Sequence, residues 1–280
     1  MFRIGAHVSI SGGFPKAVER EVDLGGNCGQ IFAGSPRGWR VSRPGDEEVE
    51  GFADLSEGMD VGPWAIHGTY LINLATPKDD LADKSIRTVQ EELYVAEDLG
   101  VPFYVFHPGA HTGAGIARGI ESVGRRLSEL DVPDGVRVLL ENTAGKGTTV
   151  GRNFEQLRKM IDISGLGSSD LGFCLDTCHL YAAGFDFTEE DELYEILDEL
   201  DEEVGLDDLC LLHLNDSKHP MNSEKDEHEH IGEGHIGEKG FELFINHEEL
   251  RDKPMVLETP VDDKGFAWNI EKCKELRKGE

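Results

Sequence analysis

Short β-rich runs alternate along the chain with longer segments whose apolar residues recur at helical spacing. The runs are Arg3–His7, Cys28–Phe32, Trp64–His67, Phe103–His107, Val136–Glu141, Leu171–Asp176, Cys210–Leu214 and Pro254–Glu258. Between them, Leu81–Leu99, Ile116–Leu130, Phe154–Ile163 and Thr188–Val204 read as helices. Strand starts are spaced by 25 to 44 residues, the length of a βα unit. Eight such units in 280 residues predict an α/β fold, a (β/α)8 TIM barrel forming one domain over residues 1–280. A doubly wound open sheet is the rival, but no GxGxxG turn follows the first strand.

Charge complicates the functional reading. The chain holds 27 Lys and Arg against 56 Asp and Glu, a formal charge of −29. That balance argues against nucleic acid, whose binding usually rests on cations that neutralise phosphates. It also suits the solvating acidic coat of a protein from a salt-loving organism, since net charge speaks to solubility and not to fold. The acid is uneven, however. Ten of the fifteen residues Glu189–Glu203 are acidic, while Leu193, Ile196, Leu197, Leu200 and Val204 keep helical spacing, the signature of an amphipathic helix with an acidic outer face. Conversely, Leu24–Gly45, Val61–Lys78, Leu99–Ile120 and Asn142–Phe154 carry seven cations and no acid. Buried strands account for part of this deficit, but the loops that follow them do not. No apolar run is long enough to cross a bilayer and no secretory signal is evident; five cysteines, an odd number, read as reduced thiols in a cytoplasmic protein.

Barrel chemistry gathers where the strands end. Here those ends carry His67, His107, Glu141, Asp176 (with His179 close behind), His213 and Glu258, at or beside the ends of six of the eight predicted strands, and His7 ends the first. Such groups converging at one mouth repel unless a cation sits among them, and imidazole with carboxylate suits zinc or manganese. A further cluster, Asp226-Glu227-His228-Glu229-His230, precedes Gly232-Glu233-Gly234. Taken alone it reads as a solvated loop. Cys174 and Cys178 lack a second cysteine pair and read as small core residues.

At these residues the chain closely resembles the endonuclease IV family of apurinic/apyrimidinic (AP) endonucleases. The motifs that carry the resemblance are Ile4-Gly5-Ala6-His7-Val8-Ser9, Leu140-Glu141-Asn142-Thr143-Ala144-Gly145, Asp176-Thr177-Cys178-His179, His213-Leu214-Asn215-Asp216-Ser217-Lys218 and Leu257-Glu258-Thr259. The resemblance implies a TIM barrel with three zinc ions that hydrolyses duplex DNA on the 5′ side of abasic sites, leaving a 3′-OH and a 5′-deoxyribose phosphate. It implies that His67, His107 and Glu141 hold one ion, Glu141, Asp176, His213 and Glu258 a second, and His179, Asp226 and His228 a third. Glu141, Asp176 and Glu258 would be the catalytic carboxylates. Arg37, Tyr70 and Leu71 would enter the DNA, Trp39, Arg40, Asn73, Lys146 and Lys218 are candidates for contact with its backbone, and Glu233 for support behind the ligands. His7 and His111 lie near the mouth without an assigned role. Four carboxylates with three Zn²⁺ would leave the pocket net positive, which reopens DNA as the partner of a −29 chain. A monomer without membrane contact is expected. A xylose-isomerase-like sugar isomerase or epimerase, using Glu141, Asp176, His213 and Glu258 around one divalent metal, is the rival function, and a non-catalytic metal-dependent binding module a third.

Overall fold

The barrel is built from β1 Ile4–His7, β2 Cys28–Phe32, β3 Trp64–His67, β4 Phe103–Phe106, β5 Arg137–Glu141, β6 Leu171–Asp176, β7 Leu209–His213 and β10 Met255–Leu257; a two-stranded antiparallel piece, β8 Asp216–Ser217 and β9 His228–Glu229, lies in the loop after β7. Its eight parallel strands close on themselves in the order β1-β10-β7-β6-β5-β4-β3-β2. The computed structural model describes residues 1–279; residue 280, the last of the expected domain, lies outside them. Helices α1 Pro15–Leu24, α2 Asp46–Met59, α3 Asp79–Leu99, α4 Ile116–Leu127, α5 Phe154–Ser164, α6 Thr177–Ala183, α7 Glu190–Glu203, α8 Gly237–Asn246 and α9 Gly265–Leu276 fill the connections. The predicted strands and helices match these within three residues, because each apolar run is cut by polar or glycine residues that end it. β4 and β10 stop one residue short of His107 and Glu258, which continue beyond the last ladder pairs.

Side chains alternate along a strand, and this period stacks the barrel interior in layers. Cys28, Ala65, Val105, Leu139, Cys174, Leu211 and Val256, one from each of seven strands, form a buried apolar cluster of their own. Two residues further along each strand stand Gln30, His67, His107, Glu141, Asp176, His213 and Glu258. His7 takes the corresponding place at the end of β1. A Cβ on Gly5 would meet the Cys28 carbonyl oxygen at 1.8 Å, so β1 and β2 can approach as they do only with glycine there. The larger apolar cluster packs the outer strand faces against the helices, and α7 contributes Leu193, Ile196, Leu197 and Leu200 while its acids face outward.

One buried acid lies in this outer layer. The Tyr104 hydroxyl of β4 donates to Glu92 Oε2 of α3 at 2.7 Å, and Glu92 is 3% exposed. Burial raises its pKa to about 7. A carboxyl with a raised folded pKa contributes stability that is complete below its unfolded value and is lost as pH rises through 7. Glu92→Gln, which keeps an acceptor for Tyr104, is therefore expected to stabilise the protein by ~1–3 kcal/mol at pH 8 and to leave it nearly unchanged at pH 4.5. Denaturant unfolding at the two pH values measures this; a variant equally destabilised at both would contradict it.

Candidate metal centre

Glu141, at the end of β5, is the hub of the layer above the apolar cluster. Its Oε2 lies 3.2 Å from His67 Nε2 and 3.0 Å from His107 Nε2. Its Oε1 lies 3.2 Å from both His179 Nδ1 and His213 Nδ1. One fully buried carboxylate thus faces four imidazoles from four different elements. Glu258 Oε2 and Asp176 Oδ2 approach His213 Nδ1 at 3.8 and 4.0 Å.

His179 and Asp176 come together because α6 begins on the residue after β6. Asp176 caps the new helix, its Oδ1 accepting from the His179 amide at 2.8 Å. The remaining donors arrive on the long loop after β7. There Asp216 accepts five backbone N–H groups, from Ser217, Gly232, Gly234, Ile236 and Gly237. A Cβ at Gly234 would press on Asp216 Oδ1 at 2.5 Å, which is why the Gly232-Glu233-Gly234 turn can fold over that carboxylate. Ser217 pairs with His228 across β8 and β9, and this brings His228 Nε2 to 3.3 Å and His179 Nε2 to 3.1 Å from Asp226 Oδ1. His230 turns the other way, to Asp262 at 3.1 Å and Asn269 at 2.9 Å.

The imidazoles are aimed by backbone carbonyls. Nδ1 of His67 meets Gly68 O at 2.8 Å, Nδ1 of His179 meets Asn142 O at 3.0 Å, and Nδ1 of His228 meets Glu258 O at 3.0 Å. A carbonyl can only accept, so each Nδ1 carries a proton, and in the neutral ring each Nε2 is left with a lone pair facing the carboxylates. Among the described residues, His67/His107/Glu141, Glu141/Asp176/His213/Glu258 and His179/Asp226/His228 each bring their donor atoms within 4.8 Å of one another, as does Asp176/Cys178/His228. His228 Nε2 is buried and makes no hydrogen bond, despite its distance to Asp226. Such an orphan among imidazoles and carboxylates fits a cation of the zinc class. Burial pushes the Cys178 thiol up to about 12, in keeping with a neutral core side chain.

Without a metal, protons balance the charge. Burial alone would raise the Glu141, Asp226 and Glu258 carboxyls, but the facing histidines outweigh it and hold all three below the ordinary range. Burial likewise opposes protonation of His67, His107, His179 and His213, yet the carboxylates raise all four, and His228 reaches about 9 through Asp226 and Asp176. His7, beside them at the mouth, is lowered instead, by burial.

A cavity of about 270 Å³ opens above these groups, lined by His67, Tyr70, His107, His179, Asp226 and Glu258 among others. Tyr70, 61% exposed, stands at its rim, its ring 5.8 Å from that of His67 and 5.4 Å from Phe32. Pro36 O accepts from the Tyr70 amide at 3.1 Å and the Thr69 hydroxyl at 2.8 Å, which clasps the exposed Arg37 loop to the Tyr70-Leu71 loop. Leu71 is half-buried, and Arg40, Lys146 and Lys218 are exposed.

Other loop candidates are otherwise engaged. Asn73 is turned inward, its side-chain amide exchanging two 3.0 Å hydrogen bonds with the backbone of Ala110. Trp39 lies under the Lys84 ammonium at 4.6 Å. Glu233 pairs with Lys264 rather than with the ligands. His111 Nδ1 accepts the Gly113 and Gly115 amides and shapes a turn. Gln30, by contrast, joins the ring without having been anticipated. Its signal was present: a lone amide in the apolar run Cys28–Phe32, two residues beyond an inward position.

The model of the xylose isomerase-like TIM barrel family matches residues 18–278. Probable endonuclease 4 of Haloarcula marismortui is 51% identical over 278 residues, covering 99% of each chain, and that of Halobacterium salinarum is 50% identical over 276 residues, 98% of this chain and 99% of the relative. The chain belongs to the endonuclease IV family. The solved endonuclease IV of Thermus thermophilus superposes with a TM-score of 0.86 at 38% identity over 98% of both chains. Endonuclease IV relatives in two halophiles also accord with the acidic coat. The isomerase reading uses Glu141, Asp176, His213 and Glu258, which do converge, but it leaves the His67/His107 and His179/Asp226/His228 groups of this endonuclease IV chain without a purpose. No described helix is long and apolar enough to cross a membrane.

Proposed function

We propose that this chain is a zinc-dependent AP endonuclease that hydrolyses the phosphodiester 5′ to an abasic site in duplex DNA, leaving a 3′-OH and a 5′-deoxyribose phosphate. The observation that carries the reading is the sharing of one buried carboxylate, Glu141, between two donor groups, with a third beside it under the same cavity. His67, His107 and Glu141 would hold one ion, Glu141, Asp176, His213 and Glu258 the second, and His179, Asp226 and His228 the third. When bound, zinc supplies Lewis acidity, which polarises a phosphoryl oxygen and brings the pKa of water toward neutrality. The chain's own part is positional. Glu141, Asp176 and Glu258, the catalytic carboxylates, fix the donor atoms at depths set by three different strands, and the Nδ1 contacts of His67, His179 and His228 keep their imidazoles from turning. Cytoplasmic location, a monomeric state and a single catalytic domain belong to the same proposal.

Duplex DNA is compatible with a −29 chain because many of the acids, those of α7 among them, lie on outer helices, and three zinc ions would more than offset the four carboxylates that hold them. In molar salt the Debye length is about 3 Å, so distant acids barely repel the duplex. Arg37, Tyr70 and Leu71 would enter the helix where a base is missing and unstacking costs least. The clasp through Pro36 makes them one unit. Zinc-loaded protein in molar KCl is expected to nick a duplex containing one abasic analogue on its 5′ side; an intact duplex would defeat the proposal. Tyr70→Ala with Leu71→Ala is expected to weaken abasic-duplex binding by ~10–100-fold, the worth of one or two stacked contacts, with zinc content unchanged. Titration of labelled duplex, with zinc measured in parallel, tests this, and parental affinity would remove both residues from the interface.

A further inference from the structure

His213 differs from the other histidines of the centre in the nitrogen it offers. It faces Glu141, Asp176 and Glu258 with Nδ1, while its Nε2 points to Gln30 Oε1 at 2.8 Å. Gln30 is fully buried, as is His213. On its other side the Gln30 amide nitrogen lies 2.7 Å from Glu258 Oε1 and 3.0 Å from His7 Nδ1. These contacts leave the amide one sensible orientation. The NH₂ must face the carboxylate, since an oxygen there would repel it, and the carbonyl oxygen must therefore face His213. A carbonyl accepts only, so His213 carries its proton on Nε2 and presents Nδ1 bare. The same NH₂ and His7 Nδ1, itself 3.0 Å from Glu258 Oε1, occupy that oxygen and leave Oε2 turned toward His213.

We propose that Gln30 is the positioning residue of the second metal site, one amide that sets the tautomer of His213 and the orientation of Glu258 together. It touches neither substrate nor metal. Its carbonyl assigns the nitrogen that binds and its NH₂ assigns the oxygen that binds, so two ligands contributed by β7 and β10 are aligned from β2. For His67, His179 and His228 a backbone carbonyl does this; for His213 the Gln30 side chain takes its place.

The inference rests on the zinc-binding reading, and the experiment separates the two. In zinc-loaded protein carrying ¹⁵N-histidine, two-dimensional ¹H–¹⁵N spectra are expected to show His213 protonated at Nε2 and metal-ligated at Nδ1. Gln30→Met, close in volume and without the amide, is expected to weaken one of the bound zincs by ~10–100-fold in competition with a chelator while the others hold. Gln30→Glu keeps the acceptor but sets a second carboxylate against Glu258; it is expected to retain the Nε2–H signature and still lose zinc affinity. Ligation through Nε2 in the parent protein, or Gln30→Met binding every zinc within about twofold of the parent, would overturn the role of Gln30 and leave the zinc centre standing. A parent protein that binds no zinc would overturn both. If Gln30→Met does not fold, the parent spectrum and Gln30→Glu decide.

Discussion

Glu141→Gln is expected to lower 5′ incision by ~10³-fold or more and to reduce the zinc content below that of the parent, although it changes one oxygen for one nitrogen. The reason is geometric. Each carboxylate oxygen faces two imidazoles, Oε2 those of His67 and His107, Oε1 those of His179 and His213. A carboxamide has only one acceptor oxygen. Whichever way it turns, an NH₂ confronts at least one nitrogen whose lone pair is needed for metal, Nε2 of His67 and His107 on one side or Nδ1 of His213 on the other, and one negative charge is lost from the middle of the site. The defect therefore reaches two sites at once, whereas loss of Asp226 would reach one. Elemental analysis with single-turnover kinetics measures both effects. A Glu141→Gln protein with parental zinc and a rate within about tenfold of the parent would defeat the shared-carboxylate reading.

Removing the ions is the second large effect. Chelation is expected to abolish incision and to lower Tm by ~10 °C or more at pH 9, since each site filled to a thousand times its Kd contributes about 4 kcal/mol, and each kcal/mol moves Tm by about 2–4 °C in a chain near this size. The loss has a pH dependence with a definite sign. In the metal-free protein, burial opposes protonation of the histidines, but the carboxylates outweigh it, and His228 titrates near 9. A histidine whose folded pKa is raised contributes stability fully below its unfolded value, and that contribution disappears as pH rises through 9. Protons thus stand in for metal at pH 6 and do so less and less as pH rises through 9, where zinc also competes better. Calorimetry with and without chelator is expected to show a larger drop at pH 9 than at pH 6. Equal drops, or none, would mean that these histidines do not pair with the carboxylates as the geometry has them.

Much of this centre was legible before the fold was known. His67, His107, Glu141, Asp176, His213 and Glu258 each end an apolar run, and a barrel collects such ends at one mouth. In the cluster Asp226–His230 the resemblance implies His228, and not His230, as the third ion's ligand. The structure supplies the physical reason, for pairing of His228 with Ser217 carries His228 inward, while His230 is taken up by Asp262 and Asn269. Loop roles were less legible. Asn73 and Trp39 look alike as polar and aromatic loop residues facing DNA or protein, and only the partners that fold back on them, Ala110 and Lys84, tell the two apart.

Alone, the sequence determined the order of the strands and most of the polar residues that close them, because strand alternation and the break after each apolar run are local properties of the chain. It did not determine which of those residues touch. Gln30 and His213 are 183 residues apart on strands that are not neighbours in the barrel, and their 2.8 Å contact exists only because eight strands close at once. Closure fixes the height and bearing of every inward side chain together. For that reason Glu141 becomes a hub, and a glutamine in an apolar strand becomes its neighbours' support.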